Sequence, residues 1–289
     1  MLRKGFAFAA LGLAVVAASW AGPLAGSASA ATTQAEPREQ AWSFDGPFGR
    51  FDKEQLQRGY KVYREVCSAC HSMNLMSFRN LGQKGGPFYD PKYPNPNNNP
   101  VVKSLAHDIQ VKDIDTDTGD PITRPATPAD KFPAPFANEY AAKASNGGAV
   151  PPDLSDMAKA RDGGPNYIFS ILTGFKKPPP GLTMPAGKYW NPWFPGDLSG
   201  SWSGAKDKVP EGGSIGMPPP LTDGKVTFDD GHPDKIADEA RDVAAFLAWA
   251  SDPKAEERKS FGLGAMIYLV IFSILLWFSY KRIWRNVGH

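Results

Sequence analysis

Hydrophobic positions in this chain fall into two long, mostly apolar runs and three periodic stripes. The first run, Phe6 to Trp20, follows Arg3 and Lys4 and is followed by Ala28-Ser29-Ala30. A charged start, an apolar centre and a small-residue cleavage site predict a secretory signal peptide over residues 1–30, with an N-terminal membrane anchor as the alternative. The second run, Phe261 to Tyr280, holds 20 residues without a charge. As a helix it is roughly 30 Å long, enough to cross a bilayer, which predicts a transmembrane helix at 261–280; a buried core helix is the alternative. Trp277, Tyr280 and Trp284 sit near its end as interfacial aromatics do. Lys and Arg flank the run three to a side, so their count sets no orientation. Orientation rests on export: the bulk of the chain lies outside and residues 281–289 form a cytoplasmic tail.

The stripes predict helices. From Asp52 to Ala69, Leu56, Gly59, Tyr63 and Val66 recur at three- and four-residue spacings, with Asp52 placed to cap the start. Gly59 on that apolar face weakens the helix, so another helix is expected to approach closely there. From Asp234 to Ala250, Ile236, Ala240, Val243, Phe246, Leu247 and Ala250 line one face, and Ser251-Asp252-Pro253 ends it. A third helix is predicted over Gly164–Thr173. Pro94 to Pro100 and Pro178 to Pro180 cannot lie inside helices. No repeat is evident, so residues 31–251 read as one domain with long loops, joined by a linker at 252–260 to the membrane span.

Cys67-Ser68-Ala69-Cys70-His71 follows the first helix directly. C-x-x-C-H is the attachment motif of a c-type haem: two thiols add to the haem vinyls and the histidine ligates iron. A thioredoxin-like pair would need a βαβ context and gives no reason for the histidine. A zinc site needs about four ligands, yet the other histidines (His107, His232, His289) stand alone. With one motif and two cysteines, one covalent haem c is expected and no disulfide.

The iron then needs a second axial ligand or an open site. Met1 goes with the signal, Met73 and Met76 are too near His71 to reach the opposite haem face, and Met266 is in the membrane run. Met157, Met184 and Met217 remain. Met217 is preferred: Gly216 lets the chain approach the ring, and Pro218 to Pro220 stiffen the loop. Met184-Pro185 is a weaker copy. A thioether ligand favours electron transfer, whereas an open site suits gas binding or catalysis, the rival reading.

Charge adds little. Without Arg3 and Lys4, and without the six basic and three acidic residues of 252–289, residues 31–251 carry 24 basic and 27 acidic residues, a net of −3. That argues against nucleic acid and weakly favours a basic soluble partner. Asp113, Asp115, Asp117 and Asp120 form an acidic stretch suited to such a partner, or to a solvated loop.

Gly59, Tyr63 and Cys67, with Phe246 and Trp249 on the last helix, resemble the helix crossing of class I c-type cytochromes. More of the chain resembles the cytochrome c1 family, the haem subunits of quinol–cytochrome c oxidoreductase (complex III). The similar segments are Trp42 to Gly49, Leu56 to Tyr60, Val66 to Met73, Ala137 to Glu139, Asn146 to Gly148, Pro151 to Ser155, Tyr167 to Gly174, Gly216 to Leu221 and Phe246 to Ala250. The resemblance implies a mainly α haem domain of class I type with long irregular loops and one C-terminal transmembrane helix. It implies that Cys67 and Cys70 hold the haem, that His71 and Met217 ligate iron, that Arg161 lies near a propionate, and that Tyr167, Pro151 and Pro152 line the pocket. A plain surface charge is the alternative for Arg161. It implies cytochrome b, a Rieske iron–sulfur protein and a soluble cytochrome c as partners, in a bacterial inner membrane with the haem domain in the periplasm. Such a chain is a non-catalytic electron-transfer subunit of a larger enzyme. An anchored cytochrome of another respiratory complex is the nearest rival. Residues 197–213 depart from the family pattern as an insertion, which leaves the path into the Met217 loop open.

Overall fold

Helix α1, Lys53–Glu65, starts where the sequence sets a cap: the Asp52 carboxylate accepts the Gln55 N–H at 2.8 Å. The computed structural model describes residues 34–286, so the predicted signal peptide lies outside the described residues. The helix stops at Glu65, earlier than predicted. Cys67–Ala69 forms one turn of 3₁₀ helix, because the Cys70 and His71 N–H groups both donate to the Cys67 carbonyl, at 3.1 and 2.9 Å.

Short elements follow: α2 Phe78–Leu81, α3 Pro100–His107, the antiparallel pair β1 Gln110–Ile114 and β2 Pro121–Pro125, α4 Glu139–Ser145 and α5 Gly164–Leu172. A second antiparallel pair joins β3 Tyr189–Asn191 to β4 Gly213–Ile215, and α6 Ile236–Ser251 and α7 Ala255–Trp284 end the chain. The fold is mainly helical with long irregular loops, as predicted, with two small sheets besides.

The core is the crossing of α1 and α6. A Cβ on Gly59 would lie 2.1 Å from the Asp242 carbonyl oxygen and 2.7 Å from Phe246 Cβ, so the two backbones meet at a point only glycine permits. Around it, Tyr60 and Tyr63 pack on Phe246 with ring centres 5.7 and 5.8 Å apart. Phe132 stacks on Tyr63, and Trp249 is wholly buried beside Phe246. Burying each such ring stabilises the fold by roughly 1.5–3 kcal/mol. Asp242 is also buried here. Its carboxylate accepts from Arg58 Nε at 2.8 Å and Gln55 Nε2 at 3.2 Å, with His232 Nε2 at 3.6 Å. This polar knot was not foreseen: Asp242 lies on the buried side of a stripe read as apolar.

Helix α6 begins at Ile236, two residues after the predicted Asp234. Lys235 in the cap position makes no side-chain cap bond; the Ile236 N–H goes to Asp223 Oδ1 at 3.0 Å. A cap supplied from an upstream loop leaves no local signal. Helix α7 covers the predicted span and starts inside the segment predicted as a linker. Only Asp252–Lys254 separate it from α6. Glu256 and Glu257 in its first turn suit the positive end of the helix dipole. The helix is long and apolar enough to cross a membrane, and none of its residues is buried against the rest of the fold.

Candidate haem-binding site

The 3₁₀ turn after α1 presents two cysteines, Cys67 half-buried against the core and Cys70 exposed. Burial pushes the Cys67 thiol up to about 12, so it stays neutral. His71 Nδ1 lies 2.8 Å from the Pro152 carbonyl oxygen. A carbonyl only accepts, so Nδ1 carries the proton and Nε2 keeps its lone pair. Burial lowers the His71 pKa more than this bond and Asp153 raise it, which favours the neutral imidazole.

Asp153 holds that carbonyl in place. One carboxylate oxygen accepts Ser72 Oγ and the Asn74 N–H, each at 2.8 Å; the other accepts the Ser155 N–H at 2.8 Å. Burial alone would raise the Asp153 pKa, but these bonds outweigh it and hold the group below the usual carboxylate range. The Leu154 N–H donates to the Ser72 carbonyl at 2.9 Å, which closes the loop against the histidine's own neighbour. Asp153 and Ser72 were not singled out from sequence, although both fall in stretches that carried the family resemblance.

Met217 is delivered by the β3–β4 pair. Tyr189 pairs with Ile215 and Asn191 with Gly213, so the strand that ends two residues before Met217 is clamped. Asn191, buried, donates to the Ile171 carbonyl of α5 at 2.8 Å and accepts the Trp193 N–H at 3.1 Å. Gly212 has φ +97°, and a Cβ there would lie 2.3 Å from the Asn191 oxygen. The 197–213 insertion therefore ends in a clamp. Met217 is half-buried against an apolar cluster of Tyr167, Ile171, Trp193 and Ile215. Met184 lies in neither apolar cluster, and the insertion folds over the residues before it: the Thr183 N–H bonds the Ser201 carbonyl and the Ser203 N–H the Gly181 carbonyl. Met157 packs on the main core, where Met73 and Met76 are fully buried.

Helix α5 connects the two halves. Ile168 and Phe169 pack on the core that Cys67 also touches, while Tyr167 and Ile171 pack with Met217. Arg161 is exposed; its guanidinium bonds the Ala160 carbonyl at 2.9 Å and sits beside the Tyr167 hydroxyl. Burial raises the Tyr167 pKa against the opposing effect of Arg161. Pro152 is joined to His71 and Pro151 precedes it; no hydrogen bond among the described residues joins this half to Met217.

The donor set fits a c-type haem. Among the described residues no three His, Cys, Asp or Glu side chains converge to hold a metal ion, which does not suit zinc at Cys67, Cys70 and His71. Two cysteines at C-x-x-C spacing, a neutral imidazole with Nε2 available and a thioether in an apolar cluster suit a ring joined at its edge and ligated at its centre. Cavities of about 210 and 240 Å³ lie elsewhere, one at the root of α7 and one beside Tyr89 and Asn99. The chemistry of the side chains, rather than cavity size, locates the site.

Comparison with known proteins agrees. Residues 42–287 match the Cytochrome C1 family. Cytochrome c1 of Rhodospirillum rubrum is 39% identical, over 96% of this chain and 97% of its own length. That of Blastochloris viridis is 38% identical, over 87% of each. A cytochrome b/c1 of Bradyrhizobium diazoefficiens is 40% identical over 99% of this chain, which spans 41% of that relative's length. On its motifs, its fold and these relatives, the chain belongs to the cytochrome c1 family, whose members carry a covalently bound c-type haem.

Proposed function

We propose that this chain is the haem subunit of a quinol–cytochrome c oxidoreductase, taking electrons from a Rieske iron–sulfur protein and passing them to a soluble cytochrome c. The observation that carries this reading is the His71 Nδ1–Pro152 bond immediately after the C-x-x-C pair, which leaves Nε2 available for iron. Cys67 and Cys70 would hold a single haem through thioethers, and His71 and Met217 would ligate its iron. The haem supplies a one-electron couple at its iron. The protein supplies the rest. The Pro152 carbonyl fixes the imidazole's tautomer and angle, and the Asp153 bonds fix that carbonyl. The β3–β4 clamp holds the thioether in place. Tyr167, Pro151 and Pro152 line the pocket and keep water from it, and Arg161 offsets propionate charge. No nucleophile or acid–base pair takes part.

The relative whose name joins cytochromes b and c1 supports cytochrome b as the membrane partner. Helix α7 anchors the chain once in a bacterial inner membrane, with residues 31–251 in the periplasm after loss of the 1–30 leader. Mild-detergent purification of the tagged chain tests the reading. A haem-bearing band accompanied by cytochrome b and a Rieske protein, with quinol–cytochrome c reductase activity, is expected. A lone chain whose ferrous haem binds carbon monoxide readily would favour an open-site haem protein instead.

A further inference from the structure

The root of α7 is gripped by the segment before α1, which nothing in the haem site requires. The Glu256 carboxylate accepts the Phe51 N–H at 2.8 Å, and Lys259 Nζ donates to the Phe44 carbonyl at 2.6 Å and the Gly49 carbonyl at 3.3 Å. All three are charge-assisted bonds to backbone. The two carbonyls reach one ammonium because residues 43–50 double back: the Arg50 N–H bonds the Ser43 carbonyl at 2.9 Å. A Cβ on Gly49 would lie 2.0 Å from the Asp45 carbonyl oxygen, so only glycine closes this turn.

The same segment is tied to the domain along its length. The Arg38 N–H bonds Ser170 Oγ at 2.7 Å, Trp42 Nε1 bonds Asn166 Oδ1 at 2.7 Å, and Arg241 bonds the Ala41 carbonyl at 2.6 Å. Residues 38–51 thus form a strap from α5 and α6 to α7. Apolar packing does not replace it at the joint: a cavity of about 210 Å³ is lined by Phe44 and Phe51 on one side and Ala248 and Ala255 on the other. Asp252, bonded to Arg258 and to Lys159, completes the corner between α6 and α7.

We propose that the strap locks the haem domain at one angle to the membrane, with Glu256 and Lys259 as its positioning residues. The inference rests on the reading of α7 as the anchor of a haem domain. Lys259 lies two residues, about 3 Å of helix rise, before the uncharged span that begins at Phe261. Without the strap, Asp252-Pro253-Lys254 would be a short hinge at the membrane surface. A domain of this size has a radius of gyration of about 17 Å and is about 44 Å across, so a tilt of roughly 10° about a hinge at its edge would move its far side by about 8 Å. An electron carrier that must face two partners benefits from having that freedom removed.

The test is linear dichroism of the haem bands for the full-length, haem-loaded chain reconstituted alone in oriented bilayers. The unaltered chain and Glu257→Ala, altered at an exposed residue of the same turn, should show strong dichroism. Glu256→Ala with Lys259→Met should lose most of it while absorption spectrum and midpoint potential stay unchanged, and Lys259→Arg should retain it. Equal dichroism in the double variant and the unaltered chain would overturn the strap alone. An unaltered chain that lacks haem or fails to enter bilayers would overturn the underlying reading, and the strap with it.

Discussion

At the scale of single residues, the candidate site depends on the groups that hold His71 and Met217 as much as on those two residues themselves. His71 is oriented by a backbone carbonyl, and that carbonyl by Asp153. Met217 is held by a strand whose partner is bolted to α5 through Asn191. A thioether favours ferrous over ferric iron, so Met217→Leu should lower the potential while haem stays attached through Cys67 and Cys70. The iron should then bind carbon monoxide. Met184→Leu should do little, since Met184 lies outside the cluster that contains Tyr167. The near-infrared methionine-to-iron band of the ferric protein is the readout: it should vanish in Met217→Leu and persist in Met184→Leu. The reverse pattern would move the ligand to Met184.

At the scale of elements, the α1–α6 crossing is the joint from which the haem motif is hung. Alanine normally stabilises a helix by about 1 kcal/mol over glycine. At Gly59 the sign should invert. The added methyl would meet the Asp242 carbonyl at 2.1 Å, and neither backbone can yield cheaply. Gly59→Ala should lower stability by about 1–3 kcal/mol, read as a fall in the thermal midpoint of the haem domain. An unchanged midpoint would mean that the helices can separate without cost. The β1–β2 hairpin gives a second, pH-dependent case. Arg124 bonds both Asp113 and Asp130, and Thr127 adds two more bonds to Asp130. These hold the Asp130 pKa well below the usual carboxylate range. Its contribution is therefore present when the group is ionised, above its unfolded value of about 4, and is lost as pH falls through the folded value. Amide exchange over Gln110–Ile114, corrected for its intrinsic pH dependence, should speed up as pH drops from about 5 to about 3. The acidic stretch in this hairpin is thus partly structural. Asp113 is paired and Asp115 accepts the Asp117 N–H to form the turn, while Asp117 and Asp120 are exposed at the tip.

At the scale of the whole molecule, the chain is a haem domain fixed to a membrane-length helix by a three-residue corner and a strap. A stop codon after Ser251 should release a soluble, haem-loaded domain, because every contact that builds the haem site lies before that point. Sedimentation of the truncated protein after a salt wash is the check. Recovery with the membranes would show a second attachment. In the intact protein, a strap that makes the domain and α7 one body would let a single subunit present its haem at a set position.

The sequence by itself determined what is local or stoichiometric. C-x-x-C-H named the cofactor, because thioether spacing and the adjoining ligand are written in five consecutive residues. The uncharged run marked a helix long and apolar enough to span a bilayer, because crossing one requires about twenty apolar residues in a row. Gly59 foretold the helix crossing, because glycine on an apolar face is costly without a close neighbour. Tertiary structure alone decided what depends on residues far apart in the chain. The cap of α6 comes from Asp223, the partner of Arg58 is Asp242, and the Pro152 carbonyl reaches His71 across 81 positions. The path from the insertion into the Met217 loop was open in the sequence, and the structure pairs the insertion's end, Gly213, with Asn191 of β3, in a strand that ends two residues before Met217. Most of the segment read as a linker became the first turns of α7, held by Phe44, Gly49 and Phe51 from the other end of the domain. Periodicity and spacing report which faces want burial. Which distant polar group satisfies each backbone N–H and carbonyl is settled only when the chain has closed on itself.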